Sequence, residues 1–261
     1  MSTISFTRIN GALLIAGTLL CVGTLQADEV RVMTSGGFAA PHLQLISPFE
    51  RATKHKVVTD ATSTGIGEDS IPNRLRRGEL VDVVILADAA IDELIKEGRV
   101  VAGSRVALAR SGIGMAVRAG APKPDISSVD ALRRALLQAK SVAYSAQVSG
   151  VYLSTELFPR LGIAAQMRAK SQRVERERVG AVVARGEAEI GFQQISELLP
   201  IGGIDYVGPL PAEVQRVTVF SAGVAVGAKS PEAARALIRF FISPEGAKAM
   251  TKSGLEPMTR P

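Results

Sequence analysis

Short runs of β-branched and aliphatic residues alternate with longer stretches in which apolar residues return every three or four positions. EVRVMT (29–34), KVVTDAT (56–62) and VDVVILA (81–87) carry the first signature, that of strands. Between them the spacing predicts a helix from about Phe38 to Thr53, a second over SIPNRLRRGE (70–79), and a third over AAIDELIKEGRV that ends at Gly98. This is the order of βαβ units, which implies a mostly parallel sheet with helices on both faces. A different section opens at GIGMAVRAG (112–120). It continues through a helix in APKPDISSVDALRRALLQA, a strand at SVAYS, helices in GVYLSTELFPRLG and ERERVGAVVARGE, and a strand at AEIGFQQ (188–194), with IDYVGPLP after it. VTVFSAGVAVGA (217–228) is a long β run, and two helices close the chain over 230–254. In both, Ser precedes Pro (Pro231, Pro244), a capping residue followed by a first helical position.

No repeat or low-complexity linker separates these sections, so the second reads as inserted into the first. The chain then crosses twice, near 109–113 and near 217–223. Residues 28–109 with 220–261 are expected to build one α/β lobe and 110–219 the other. A cleft between two lobes is where small ligands bind.

The first 27 residues change the inventory. MSTISFTRIN carries one charge, Arg8, and precedes the uncharged apolar run GALLIAGTLLCVGTL and the small-residue stretch LQA. That is the order of a secretory signal peptide, cleaved after Ala27, and it implies export to the periplasm. The single cysteine, Cys21, falls inside the leader, so the mature chain needs no disulfide. Net charge is +6, with 31 basic against 25 acidic residues. The basic residues are scattered and aromatics make up only 4% of the chain, which argues against nucleic acid and is compatible with steering a small anion. The sequence carries no zinc-spaced histidines, phosphate loop or hydrolase elbow.

Five stretches in order, TSGG (34–37), RLRRGELVDVVILAD (74–88), VSGVYLSTELFPRLG (148–162), VVARGEAEIGFQQISE (182–197) and FFISPEGAKAMTKSGLEP (240–257), resemble periplasmic solute-binding proteins of the molybdate-binding, type II family. The resemblance covers 28–258 and implies two α/β lobes that close on a ligand by a hinge. It places ligand contacts at Ser35, Gly36 and Gly37, at Ser63, Thr64 and Gly65, at Ser149, Gly150 and Tyr152, and at Gln193 and Gln194. The departures are informative. Gln194 stands where the molybdate group has Tyr, Val148-Ser149-Gly150 replaces a Pro-Ala-Gly-like turn, and the loop TSTGIGEDS (62–70) is long. These features resemble a divergent branch that includes aconitate isomerases, and they suit a multi-oxygen organic anion.

Read on their own, Ser35-Gly36-Gly37 is either a corner that needs only glycine or a bare helix N-terminus that receives an anion. Tyr144 ends a strand that could face the cleft. Arg74 is a candidate carboxylate clamp, and Arg110 lies at a predicted crossing. His42, Glu68, Asp69 and Tyr152 remain unranked candidates for an acid or base. No cofactor or metal is implied. Two functions are expected of such a chain: a monomeric receptor delivering a di- or tricarboxylate to a membrane ABC permease, or an isomerase of aconitate on the same fold. Capture of molybdate or tungstate is a third.

Overall fold

The computed structural model describes residue 1 and residues 27–258, so the expected leader, Met1 and Ala27 apart, lies outside the described residues. Twenty-two helices and strands alternate along them. The first six are β1 (Glu29–Thr34), α1 (Gly36–Thr53), β2 (Lys56–Ala61), α2 (Ile71–Arg76), β3 (Val83–Ala87) and α3 (Asp88–Lys96). β4 (Val106–Ser111) and β5 (Ile113–Arg118) follow, then α4 (Val129–Gln138), β6 (Val142–Ser145) and α5 (Val148–Tyr152). A π turn (Leu153–Leu157) joins α5 to α6 (Phe158–Arg160), which leads to α7 (Ala164–Lys170), β7 (Ser171–Val174), α8 (Val179–Ala184) and β8 (Ile190–Gln194). The chain ends with α9 (Ile195–Leu198), β9 (Ile204–Pro209), β10 (Thr218–Val224), α10 (Pro231–Phe241), α11 (Pro244–Lys252) and β11 (Glu256–Pro257).

Two sheets result. One has the strand order β11-β4-β10-β3-β1-β2 and the other β7-β6-β8-β5-β9. Both are flanked by helices, as the alternation of elements implies, but both are mixed rather than mostly parallel. β1 pairs in parallel with β2 and β3, whereas β10 runs antiparallel to β3 and β4. In the second sheet β6 pairs in parallel with β7 and β8, while β5 is antiparallel to β8 and β9. The physical reason is the double crossing. A chain that leaves one sheet and returns to it must bring its returning strand back in the opposite sense.

The crossings run through Gly112, between β4 and β5, and through 210–217, between β9 and β10. Arg110, Ser111, Thr218 and Val219 pair within the first sheet, two residues past the expected bounds. Two glutamines clasp these strands. The Gln215 amide accepts from Ile113 N–H at 2.8 Å and donates to the Ile113 carbonyl at 3.0 Å. The Gln194 amide, oriented to satisfy both its ends, donates to the Ser111 and Gly112 carbonyls at 3.1 and 3.2 Å and accepts from Thr218 Oγ1 at 2.8 Å.

Each sheet has its own core. On the first, α1 buries Phe38, Leu45 and Phe49, one stripe at helical spacing, against Val30, Val32, Val83, Phe220 and Phe241. On the second, Leu132, Leu136, Leu153, Leu157, Phe158 and Met167 pack on Ile113, Met115 and Phe192. The predicted caps divide: Ser243 Oγ accepts from Gly246 N–H at 3.2 Å, whereas Ser230 makes no side-chain cap bond. No helix among the described residues is long and apolar enough to cross a membrane.

Candidate functional site

Both sheets contribute the ends of strands and the starts of helices to one cleft, about 390 Å³ with the open space at its mouth included. Ser35, Gly36 and Gly37 enter from the turn between β1 and α1, Ser63 and Thr64 from the loop after β2, and Ala87 from the start of α3. Facing them are Gln147, Val148 and Ser149 at the start of α5 and Gln194 and Glu197 around α9, while Thr218 and Phe220 line the cleft from β10 of the first sheet. Two hydrogen bonds span the cleft. Gln147 Nε2 donates to the Gly65 carbonyl and Ser196 Oγ to the Gly37 carbonyl, each at 2.8 Å.

Neither α1 nor α5 has an acidic residue in its first turn, so no side chain of either helix's own first turn offsets its positive end. Ser35, at the N-cap of α1, makes no side-chain cap bond. The hydroxyls of Ser35 and Ser149, in residues only 4% and 2% exposed, have no hydrogen-bond partner among the described residues. Buried hydroxyls normally find partners. Two orphans on opposite walls of one cleft, each at a helix start, are what an oxyanion ligand would satisfy. No lining residue is basic, so recognition of an anion here falls to N–H groups and hydroxyls.

Glu197 is the cleft residue that sequence reasoning missed. It is 8% exposed and lies against the start of α1, where a Cβ added to Gly36 would come within 2.1 Å of its Oε1. Burial pushes its carboxyl up to about 7, against the opposing pull of the Arg178 charge and the Gln193 side chain. A carboxyl in this range exchanges a proton near neutral pH.

Glycine at 37 is required by close approach, while at 36 a side chain would displace the Glu197 carboxyl. A Cβ at Gly36 would strike Glu197, and one at Gly37 would lie 2.1 Å from the Phe220 ring. At Gly150 the collision would be with the Ser145 carbonyl oxygen, at 1.6 Å, so this glycine closes α5 onto β6.

The other candidates are dispersed. Arg74 does not line the cleft; its Nε donates to Glu79 Oε2 at 2.8 Å. Arg110 pairs with Glu256 across β4 and β11 at 2.6 Å. The Tyr152 hydroxyl donates to the Val214 carbonyl at 2.8 Å, and its ring lies under Arg216 in the second core. Tyr144 packs edge-on against Phe158. Gln193 Oε1 accepts from Val179 N–H at 2.9 Å, capping α8. His42 is fully buried on the inner face of α1 beside Thr59 Oγ1, 2.9 Å away, and burial lowers its pKa to about 4. Glu68 and Asp69 are exposed on the 3-10 turn Gly67–Asp69. Among the described residues no group of three or more His, Cys, Asp or Glu is placed to hold a metal ion.

The model of the bacterial extracellular solute-binding protein family matches residues 30–256. The chain belongs to that family. Within reach of this membership, it is 46% identical over 249 residues to an aconitate isomerase of a Pseudomonas species, covering 95% of both chains. It is 28% identical over 250 residues to a molybdate-binding protein of Azotobacter vinelandii, covering 92% of this chain and 93% of that one. The solved periplasmic molybdate-binding protein of that organism superposes with a TM-score of 0.70 at 20% identity, over 87% of this chain and 98% of the other. The periplasmic binding protein AgtB of A. tumefaciens R10, solved in complex with agropinic acid, gives a TM-score of 0.62 at 15% identity, over 89% of this chain and 82% of the other. These two likenesses establish the solute-binding fold.

Proposed function

We propose that the protein is a periplasmic aconitate isomerase that interconverts trans- and cis-aconitate by an allylic proton shift without a cofactor. The observation that carries this reading is the 46% identity to an aconitate isomerase along 95% of both chains. The cleft supports it. A proton leaves the methylene carbon, the double bond moves one carbon along, and a proton enters at the former vinyl carbon. The negative charge that develops spreads into the carboxylates, and the starts of α1 and α5 with the Ser35 and Ser149 hydroxyls are placed to receive it. The test is turnover: purified protein at a small fraction of the substrate concentration is mixed with trans-aconitate, and cis-aconitate is followed by chromatography. Many equivalents of product per protein molecule are expected, and none would overturn the reading.

A receptor that delivers a di- or tricarboxylate to a membrane ABC permease is the second reading, favoured by membership of the extracellular solute-binding family. Its signature is a raised melting temperature with trans-aconitate or citrate and no product. A shift with molybdate alone would point to oxyanion capture instead.

A further inference from the structure

We infer that Glu197 is the single acid–base group of the cleft, taking the proton from one carbon of bound aconitate and returning it to the other on the same face. This rests on the isomerase reading and assigns its proton-carrying residue. Of the 13 residues lining the cleft, Glu197 is the only one with a titratable side chain. The alternatives among acids and bases are occupied or remote: the Tyr152 hydroxyl is held by Val214, His42 is buried on the inner face of α1 beside Thr59, and Glu68 and Asp69 face solvent.

The position is suited to the task. Glu197 sits on α9, which follows β8 directly, and its Oε1 rests over Gly36 at the start of α1. A substrate carboxylate drawn to the α1 N-terminus would therefore bring its neighbouring carbon next to this oxygen. Ser196 Oγ, bonded to the Gly37 carbonyl, fixes α9 against that same turn. The groups facing Glu197 are few. α1 presents Gly36, β8 the neutral Gln193 amide, and the N-cap of α8 the Arg178 charge. Among the described residues no other charge bears on it, so the carboxyl is free to hold a proton between the two transfers.

The step balances with one group. The ionised carboxylate removes the methylene proton, and the C–H electron pair enters the conjugated system as an enolate-like anion. Oε1–H then delivers its proton to the far carbon of the allyl unit, which restores the carboxylate. One acid on one wall imposes transfer on one face.

The experiment compares wild type with Glu197→Gln, which keeps shape and removes the titrating proton. Turnover of trans-aconitate is expected to fall about 100-fold or more, the scale of lost general acid–base catalysis, while trans-aconitate still raises the variant's melting temperature. Turnover within threefold of wild type would overturn the assignment. Should Glu197→Gln fail to fold, Glu197→Asp, which withdraws the carboxyl by one methylene, is expected to bind trans-aconitate and lose turnover at least tenfold; undiminished turnover would equally overturn it. A wild type that binds and never turns over sinks the isomerase reading itself, a result distinguishable from either variant outcome.

Discussion

Replacing Ser35 or Ser149 by Ala sets recognition against stability, and the two effects should carry opposite signs. Ser→Ala at a helix N-cap ordinarily costs about 1 kcal/mol, because a cap hydrogen bond is lost. Ser35 makes no such bond, and Ser149 Oγ is likewise unpartnered in a residue 2% exposed. Nothing is given up in the free protein, and an unsatisfied buried group, which costs about 1–3 kcal/mol, is removed. Free-protein stability should therefore hold or rise. At roughly 2–4 °C per kcal/mol for a chain of this size, removing a cost of up to about 3 kcal/mol should move the melting temperature between zero and about +12 °C. Binding runs the other way. A hydrogen bond to a charged carboxylate is worth about 1.5–3 kcal/mol, so each variant should bind trans-aconitate roughly 10- to 150-fold more weakly. Calorimetric titration in a Glu197→Gln background, where the ligand is not consumed, measures the second effect, and thermal unfolding of each variant alone measures the first. A fall of several degrees in the free protein would show that these hydroxyls hold the fold. Unchanged affinity in both variants would remove them from the site.

Three further outcomes are expected. Gly37→Val and Gly150→Val should lower the melting temperature markedly, since the added side chains meet the Phe220 ring and the Ser145 carbonyl; near-wild-type melting would refute the close-approach account. Arg74→Ala should leave trans-aconitate affinity within twofold and cost less than about 1 kcal/mol in denaturant unfolding, because Arg74 serves a partly exposed pair with Glu79; a tenfold loss of affinity would return it to the site. The raised Glu197 pKa favours its protonated form in the fold, so it withdraws stability as pH climbs from the unfolded value near 4.5 through about 7. Glu197→Gln should accordingly gain roughly 3 kcal/mol relative to wild type between pH 4.5 and 8, read by urea unfolding at both ends; a gap independent of pH would contradict the burial. His42, whose pKa is lowered to about 4, contributes the opposite slope below pH 6.5 in both proteins and cancels from the comparison.

Much of the architecture was legible because its signals are local. β3 reads as a continuous apolar run, α1 as a stripe at Phe38, Leu45 and Phe49, and the starts of α10 and α11 as Ser-Pro pairs. The first sheet's cleft turn was legible for the same reason: Ser35-Gly36-Gly37 follows a strand directly. Elements of four to seven residues, α7, β7 and α9, were missed, since so short a span hardly establishes a period. Glu197 fell in that gap. In QQISELLP an acid among apolar residues reads as a surface position, and its burial depends on α1 arriving from about 160 residues away in sequence. The Tyr152 hydroxyl is bound by a carbonyl 62 residues distant, equally invisible to local reading. Arg74 is the opposite case. Its partner, Glu79, stands only five residues on, so the pair is local in sequence, yet it forms past the end of α2 and not at a helical i,i+3 or i,i+4 spacing.

The central claim is that this cleft moves a proton on a bound polycarboxylate as well as holding one. Proton NMR of trans-aconitate in D2O with a small fraction of an equivalent of the wild-type protein tests it most directly, because it registers both isomerisation and hydrogen exchange at carbon. The expected result is steady growth of cis-aconitate signals through many turnovers, absent when Glu197→Gln replaces wild type. Broadened or shifted trans-aconitate signals, with no cis product and no deuterium entering the methylene, would contradict the claim and leave a receptor.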